Sequence, residues 1–251
     1  MELNSRERQK IYDRWHKELY QVNVEKSISR LSILHKTAIK YLAISKNSSL
    51  KLLDLACGKG LFLKELQSYN PKLDLYGIDI SQVAIDHAKK IVDCSLEQSD
   101  AESLPFKDNS FDRIICLGGL EYFGDPVKGA KEASRVLSKN GIVVFFVPNL
   151  MFLGYVWLAL RRGIMPTHGG SDRSGKKVYY DYNNEKFFTH KGWIDVLEEG
   201  NLSVVSSHTY TYIGNTRFAN PLLLWLYNKI LYRIIPFNLS YSFIFVCKKK
   251  I

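Results

Sequence analysis

The sequence predicts an α/β fold: a mostly parallel, seven-stranded sheet with helices on both faces, further helices at the N-terminus and helical insertions near the C-terminus. Three observations carry that expectation. Leu52-Leu53-Asp54-Leu55-Ala56-Cys57-Gly58-Lys59-Gly60 is a short apolar run that breaks at two glycines, after which Leu61, Phe62, Leu63 and Leu66 resume at helical spacing. That is how a buried parallel strand turns into a helix. Short apolar runs then alternate with helix-period segments as far as residue 149, as βαβ units do. Two later runs, 202–207 and 241–247, bring the strands to seven.

Residues 3–45 read as mostly helix, with apolar positions at Ile11, Trp15, Leu19, Leu31, Leu34, Ala38, Tyr41 and Leu42. Asn47-Ser48-Ser49 is a polar break before the first strand. A second strand, 73–80, carries Asp79 near its end, and Ser81 is a sound N-cap for a helix over 82–92. A third strand follows at 95–99 and a fourth at 111–117. Asp125-Pro126 starts a helix over 127–138, and Asn140-Gly141 turns the chain into a fifth strand, 142–149. The apolar stretch 150–160 is too short to span a bilayer. Thr189 caps and Gly200 closes a late helix before strand six. The organisation expected is an N-terminal helical segment (1–48), a core (49–149) and a remainder (150–251) with lid or insertion segments at 150–184 and 212–239.

Hydrophobic content of 46% with 24% charged residues excludes a disordered chain. The net charge of +10 is uneven: residues 1–150 hold 22 basic and 19 acidic side chains, residues 151–251 hold 13 and 6. Such a C-terminal excess attracts anionic membranes, nucleic acid or phosphorylated substrates, or is ordinary solvated lysine. Residues 218–237, apolar with Trp, Tyr, Lys and Arg, suit a helix lying in a membrane interface, a lid or a dimer contact. Cys57, Cys94, Cys116 and Cys247 share no metal-ligand spacing and read as thiols in a reducing compartment. The first residues carry no apolar signal core, which suggests a cytoplasmic protein.

The turn over Ala56–Gly60 lets a ligand approach the backbone, and the N–H groups of the helix that follows favour a carboxylate. Asp79, nineteen residues after Gly60, is placed to hold the hydroxyls of a ribose. The nicotinamide fingerprint is missing, because Leu63 stands where its third glycine belongs. Ligands of open α/β sheets bind outside the C-terminal strand ends, so the loop Gly118–Pro126 should face the reaction.

The pattern Asp54-x-Ala56-x-Gly58-x-Gly60 resembles the first motif of class I S-adenosylmethionine (SAM)-dependent methyltransferases, which have a Rossmann-like fold, and matching segments cover about residues 50–148. The resemblance implies SAM as cofactor, held by Asp54, Ala56, Cys57, Gly58, Gly60, Asp79, Ile80 and Leu117. It gives Asp100 the adenine amino group and the Ala101 N–H a ring nitrogen. Tyr12, in Tyr12-Asp13-Arg14-Trp15, either touches the methionine end of the cofactor or packs between helices. A hydroxyl acceptor needs a base, for which Glu121, His168 and His190 are candidates, while Tyr179 and Tyr180 could line the acceptor pocket.

Relatives that methylate quinones or sterols often carry a histidine pair where Leu120-Glu121-Tyr122 stands, and no Asn-Pro-Pro-Tyr segment follows the fourth strand. The reading is methyl transfer to a small or lipid-linked acceptor at oxygen, of saccharide or isoprenoid type. The alternatives are an RNA methyltransferase and a SAM-binding regulatory subunit without transfer. No nucleic-acid-binding module is evident, which weighs against RNA.

Overall fold

The computed structural model describes residues 3–19, 24–162, 185–210 and 235–250. Seven strands form one sheet in the order β3 (Ser95–Gln98), β2 (Asp74–Asp79), β1 (Lys51–Leu55), β4 (Phe111–Leu117), β5 (Leu137–Pro148), β7 (Ser242–Lys249), β6 (Leu202–Tyr210). The first five are parallel, and β7 runs antiparallel to both its neighbours. Strand order reverses between β1 and β4, which opens a crevice at their C-terminal ends.

Alternation along the strands divides the core into two layers. Leu53, Ile114, Val143 and Phe245 face Ala130 and Ala133 of α5 (Pro126–Val136) and Trp193 and Leu197 of α7 (His190–Glu199). Leu52, Ile115, Val144 and Ile244 face the other way. There they join Ala38 and Leu42 at the end of α2 (Val24–Tyr41), Phe62 and Leu66 of α3 (Leu61–Tyr69) and Ile85 of α4 (Gln82–Ala88). Strands covered on both faces read as continuous apolar runs, which is why they were legible in the sequence. Helix α1 (Ser5–Leu19) packs on α4, and α6 (Leu153–Arg162) follows β5. The Trp193 indole N–H donates to the Pro148 carbonyl at 2.8 Å and ties α7 to the end of β5.

Two boundaries differ from expectation by four residues or more. Helix α4 stops at Ala88, not at residue 92, because Lys90 and Ile91 close i→i+3 bonds onto His87 and Ala88 and tighten the last turn. The Asn140-Gly141 turn does not separate α5 from β5: Leu137 pairs with Phe111 and Ile142 with Arg113, so residues 138–141 form a bulge within a longer strand. The expected helix within 218–237 falls almost wholly outside the described residues, as do His168, Tyr179 and Tyr180; only 235–237 are described, and Phe237 opens a short 3-10 turn. No helix among the described residues is long and apolar enough to cross a membrane.

Candidate functional site

Strand β1 ends at Leu55 because the next residues leave extended backbone. Ala56 (φ 57°), Gly58 (φ 53°) and Gly60 (φ 72°) all lie in the left-handed region. For alanine that conformation costs about 1–2 kcal/mol. The Ala56 methyl uses space that Gly119 leaves: a Cβ on Gly119 would stand 2.7 Å from Ala56 Cβ and 2.9 Å from Cys116 Sγ. The turn after β1 and the loop after β4 therefore fit one another through a missing side chain. Helix α3 starts at Leu61 with no capping side chain.

Beside this turn is a cavity of about 230 Å³. Two acids on its wall come from the tips of adjacent strands. Asp79 accepts the Gly58 N–H on Oδ2 and the Ser81 N–H on Oδ1, each at 2.9 Å. Its burial pushes the carboxyl up to about 6, against the opposing pull of those two amides. Asp54 has no such support: it accepts no hydrogen bond among the described residues, and burial, then the neighbouring Asp79 charge, raises it well above the usual carboxylate range.

Helix α1 forms the roof. Arg8, Tyr12, Trp15 and His16 all line the cavity, the i, i+4, i+7, i+8 face of one helix. On one rim Asp13 Oδ1 accepts the Ser81 hydroxyl at 2.7 Å and the Val83 N–H at 3.2 Å. On the other, Arg8 donates to Asp100 Oδ2 at 2.7 Å and to Glu102 Oε1. Between them the Tyr12 hydroxyl donates to the Tyr122 carbonyl at 3.1 Å, with the two rings edge-on. His16 is pushed down to about 4, first by burial and then by Lys59, so it is neutral at pH 7. Lys59 is itself lowered by burial. His35, whose Nδ1 lies 2.6 Å from Glu65 Oε2, completes the wall with Phe62.

The structure brings most of the expected residues together. Tyr12, Asp54, Ala56, Cys57, Gly58, Asp79, Ile80, Asp100, Ala101 and Leu117 all reach the cavity. Gly60 sits behind it, where a Cβ would meet Ala88 at 3.0 Å and Val92 at 3.1 Å. Asp100 already accepts Arg8 on Oδ2 and the Glu102 N–H on Oδ1, and each oxygen keeps a lone pair for a further donor. His190 lies elsewhere, 2.9 Å from the Ser207 hydroxyl and among Phe237, Phe243 and Phe245.

Glu121 is not on the cavity wall. It is buried in the 3-10 turn after β4, and its charge raises Cys116, Tyr122, Tyr155 and Tyr241 after their own burial does. The Tyr122 hydroxyl is hydrogen bonded to Glu185, and those of Tyr155 and Tyr241 to each other. The Lys186 N–H donates to the Glu121 carbonyl at 2.8 Å and holds that segment alongside. Tyr122 touches both places, since its ring also lines the cavity. Sequence reasoning missed Arg8, Asp13, His16 and His35. For Arg8 and His16 the one signal available was their place on the helical face of Tyr12 and Trp15; His35 lies on α2.

Comparison with known proteins agrees with this geometry. Residues 53–145 match a family model described as a methyltransferase domain. The demethylmenaquinone methyltransferase of Deinococcus radiodurans is 31% identical over 143 residues, covering 53% of this chain and 59% of that protein. That of Thermotoga maritima is 34% identical over 125 residues, covering 48% and 55%. The ubiquinone/menaquinone biosynthesis C-methyltransferase UbiE of Bdellovibrio bacteriovorus is 29% identical over 139 residues, covering 50% and 59%. The chain thus spans less than two thirds of the length of these relatives.

Among solved structures, a putative methyltransferase of Haloferax volcanii in complex with the Trm112 activator superposes with a TM-score of 0.62 at 17% identity, covering 90% of this chain and 95% of that one. The PH0226 protein of Pyrococcus horikoshii gives 0.61 at 20% identity, covering 91% and 93%. These two likenesses show the fold.

Proposed function

We propose that this chain, whose residues 53–145 match a methyltransferase-domain family model, is a class I SAM-dependent methyltransferase that binds SAM in the cavity beneath α1 and transfers its methyl group to a small or lipid-linked acceptor at oxygen. One observation carries the reading. Two buried carboxylates, Asp54 and Asp79, stand at the tips of adjacent strands beside a left-handed turn, and Asp54 has no counter-charge among the described residues. That donor set fits a ligand bearing a cationic amine and a ribose diol: Asp54 would take the ammonium and Asp79 the two hydroxyls. Asp100 and the Ala101 N–H would hold adenine, with Ile80 and Leu117 against its ring system.

When bound, SAM supplies a methyl group already activated on a sulfonium. The protein's part is to orient the acceptor, exclude water and accept a proton. Helix α1, as the roof of the cavity, would exclude water from it. Glu121 lies just behind the wall, its Oε1 3.5 Å from where a Cβ on Gly118 would stand, and Gly118 and Tyr122 line the cavity. It would take the acceptor's proton once the acceptor reaches past Gly118, and His168 is the second candidate for the same proton. A second reading, methylation at a ring carbon of a quinone-type acceptor, is favoured by the names of the relatives and requires the same proton acceptor. Peripheral membrane contact through 218–237 is supported by the sequence of that segment and by the exposure of Phe237 at its end.

Titration calorimetry with SAM, S-adenosylhomocysteine and NADH tests the reading. Binding of both adenosyl compounds and not NADH is expected. Binding of neither would mean that the turn at Asp54–Gly60 is architecture alone.

A further inference from the structure

We propose, resting on the cofactor reading above, that Arg8 is a positioning residue that sets the adenine specificity of the site by holding Asp100. Arg8 reaches the cavity from α1 while only 6% exposed. Its guanidinium bridges two acids of one loop, Asp100 at 2.7 Å and Glu102. It also lies against Gly124, where a Cβ would stand 3.1 Å from Arg8 Cζ. Glu102 in turn accepts the Gly124 N–H at 2.7 Å, so one side chain fastens three segments at the adenine end. Arg8 Nε is buried with no hydrogen bond among the described residues, a donor left over at the cavity wall.

The consequence is chemical selectivity. Asp100 is gripped on one oxygen by Arg8 and on the other by the Glu102 N–H at 3.1 Å. Its remaining lone pairs are fixed in direction and can only accept. A 6-amino purine donates to such a group, whereas a 6-oxo purine sets an acceptor against it. Without Arg8, Asp100 and Glu102 repel each other and the carboxyl is free to turn away.

Titration calorimetry on the full chain with S-adenosylhomocysteine and its 6-oxo analogue, S-inosylhomocysteine, measures this directly. The wild type should prefer the adenosyl compound by about 100-fold. Arg8→Met should narrow the ratio to about tenfold or less. Arg8→Lys should fall between, since a point-like ammonium keeps the charge but lacks the planar fork that fixes the direction of both acids. An unchanged ratio in Arg8→Met, even with both affinities lowered, would overturn the proposal and leave Arg8 a purely structural tie. Should Arg8→Met fail to fold, Asp100→Asn carries the test: its amide can donate to a 6-oxo group, so the ratio should approach unity, and an unchanged ratio would overturn the proposal. A wild type that binds both purines equally overturns this inference alone; a wild type that binds neither overturns the cofactor reading instead.

Discussion

Asp79→Asn should separate cofactor recognition from folding. The carboxylate is 6% exposed and accepts two backbone amides at 2.9 Å, one on each oxygen. Burial, the largest influence, raises it from 3.8 to about 6. A group whose folded value is raised contributes stability that is fully present below its unfolded value and is lost as pH rises through the folded one. A rise of that size makes the native state about 3 kcal/mol less stable at pH 7 than it is below about pH 3. Asparagine removes that penalty, keeps one amide acceptor and turns an NH₂ against the other, a loss of about 1.5–3 kcal/mol. The two effects nearly cancel at pH 7, so the calorimetric Tm should move by no more than about 4 °C.

Binding should not be spared. Loss of a charge-assisted partner to the ribose diol should weaken S-adenosylhomocysteine by about 10- to 100-fold. In the wild type, affinity should fall by about tenfold per pH unit below 6, because the carboxyl must lose its proton to accept both hydroxyls. The variant should lose most of that slope, the remainder belonging to Asp54. Wild-type affinity at pH 7 together with an unchanged slope between pH 5 and 7 would refute the assignment. A fall in Tm beyond about 10 °C with binding intact would make Asp79 a structural residue only.

The remaining predictions probe the loop after β4 and the C-terminal insertion. Gly119→Ala places a methyl 2.7 Å from Ala56 Cβ and should cost about 1–3 kcal/mol of stability. Adding Ala56→Gly should restore part of the loss of Tm, the 2.9 Å approach to Cys116 Sγ remaining, and simple additivity in the double variant would contradict the fit. Glu121→Gln should leave S-adenosylhomocysteine affinity within about twofold and slow methyl transfer by about 10²-fold or more; undiminished turnover removes it from the role of base. Deleting 218–237 should release a folded protein from anionic vesicles in a sedimentation assay. A folded deletion variant that stays bound places the contact elsewhere.

What the sequence disclosed was what short stretches encode by themselves. Doubly buried strands announce themselves as apolar runs, and the left-handed turn at Ala56, Gly58 and Gly60 as small residues two apart. Ser81 and Thr189 were legible as caps because a cap needs only its own helix. Helix α1 was legible as a helix but not as a roof, since Arg8 meets Asp100 and Asp13 meets Ser81 across 92 and 68 residues of chain. Asp100 could be found from its spacing after Asp79, but not its guanidinium partner. The end of α4 depended on how its last turn tightened, and the start of β5 on pairing with β4. Neither is written in the local pattern.

The three acids around the cavity follow from the same distinction. Asp79 is steadied by amides from its own turn and from the Gly58 turn, Asp100 by a guanidinium from α1, and Asp54 by no group among the described residues. Asp54 sits inside the sheet at the end of a central strand, where its neighbours on β2 and β4 spend their amides on the ladder. The acid that is easiest to find in the sequence is therefore the one whose burial is left uncompensated by the described residues. Its raised pKa marks the place where a cationic ligand group lowers the free energy of the site most.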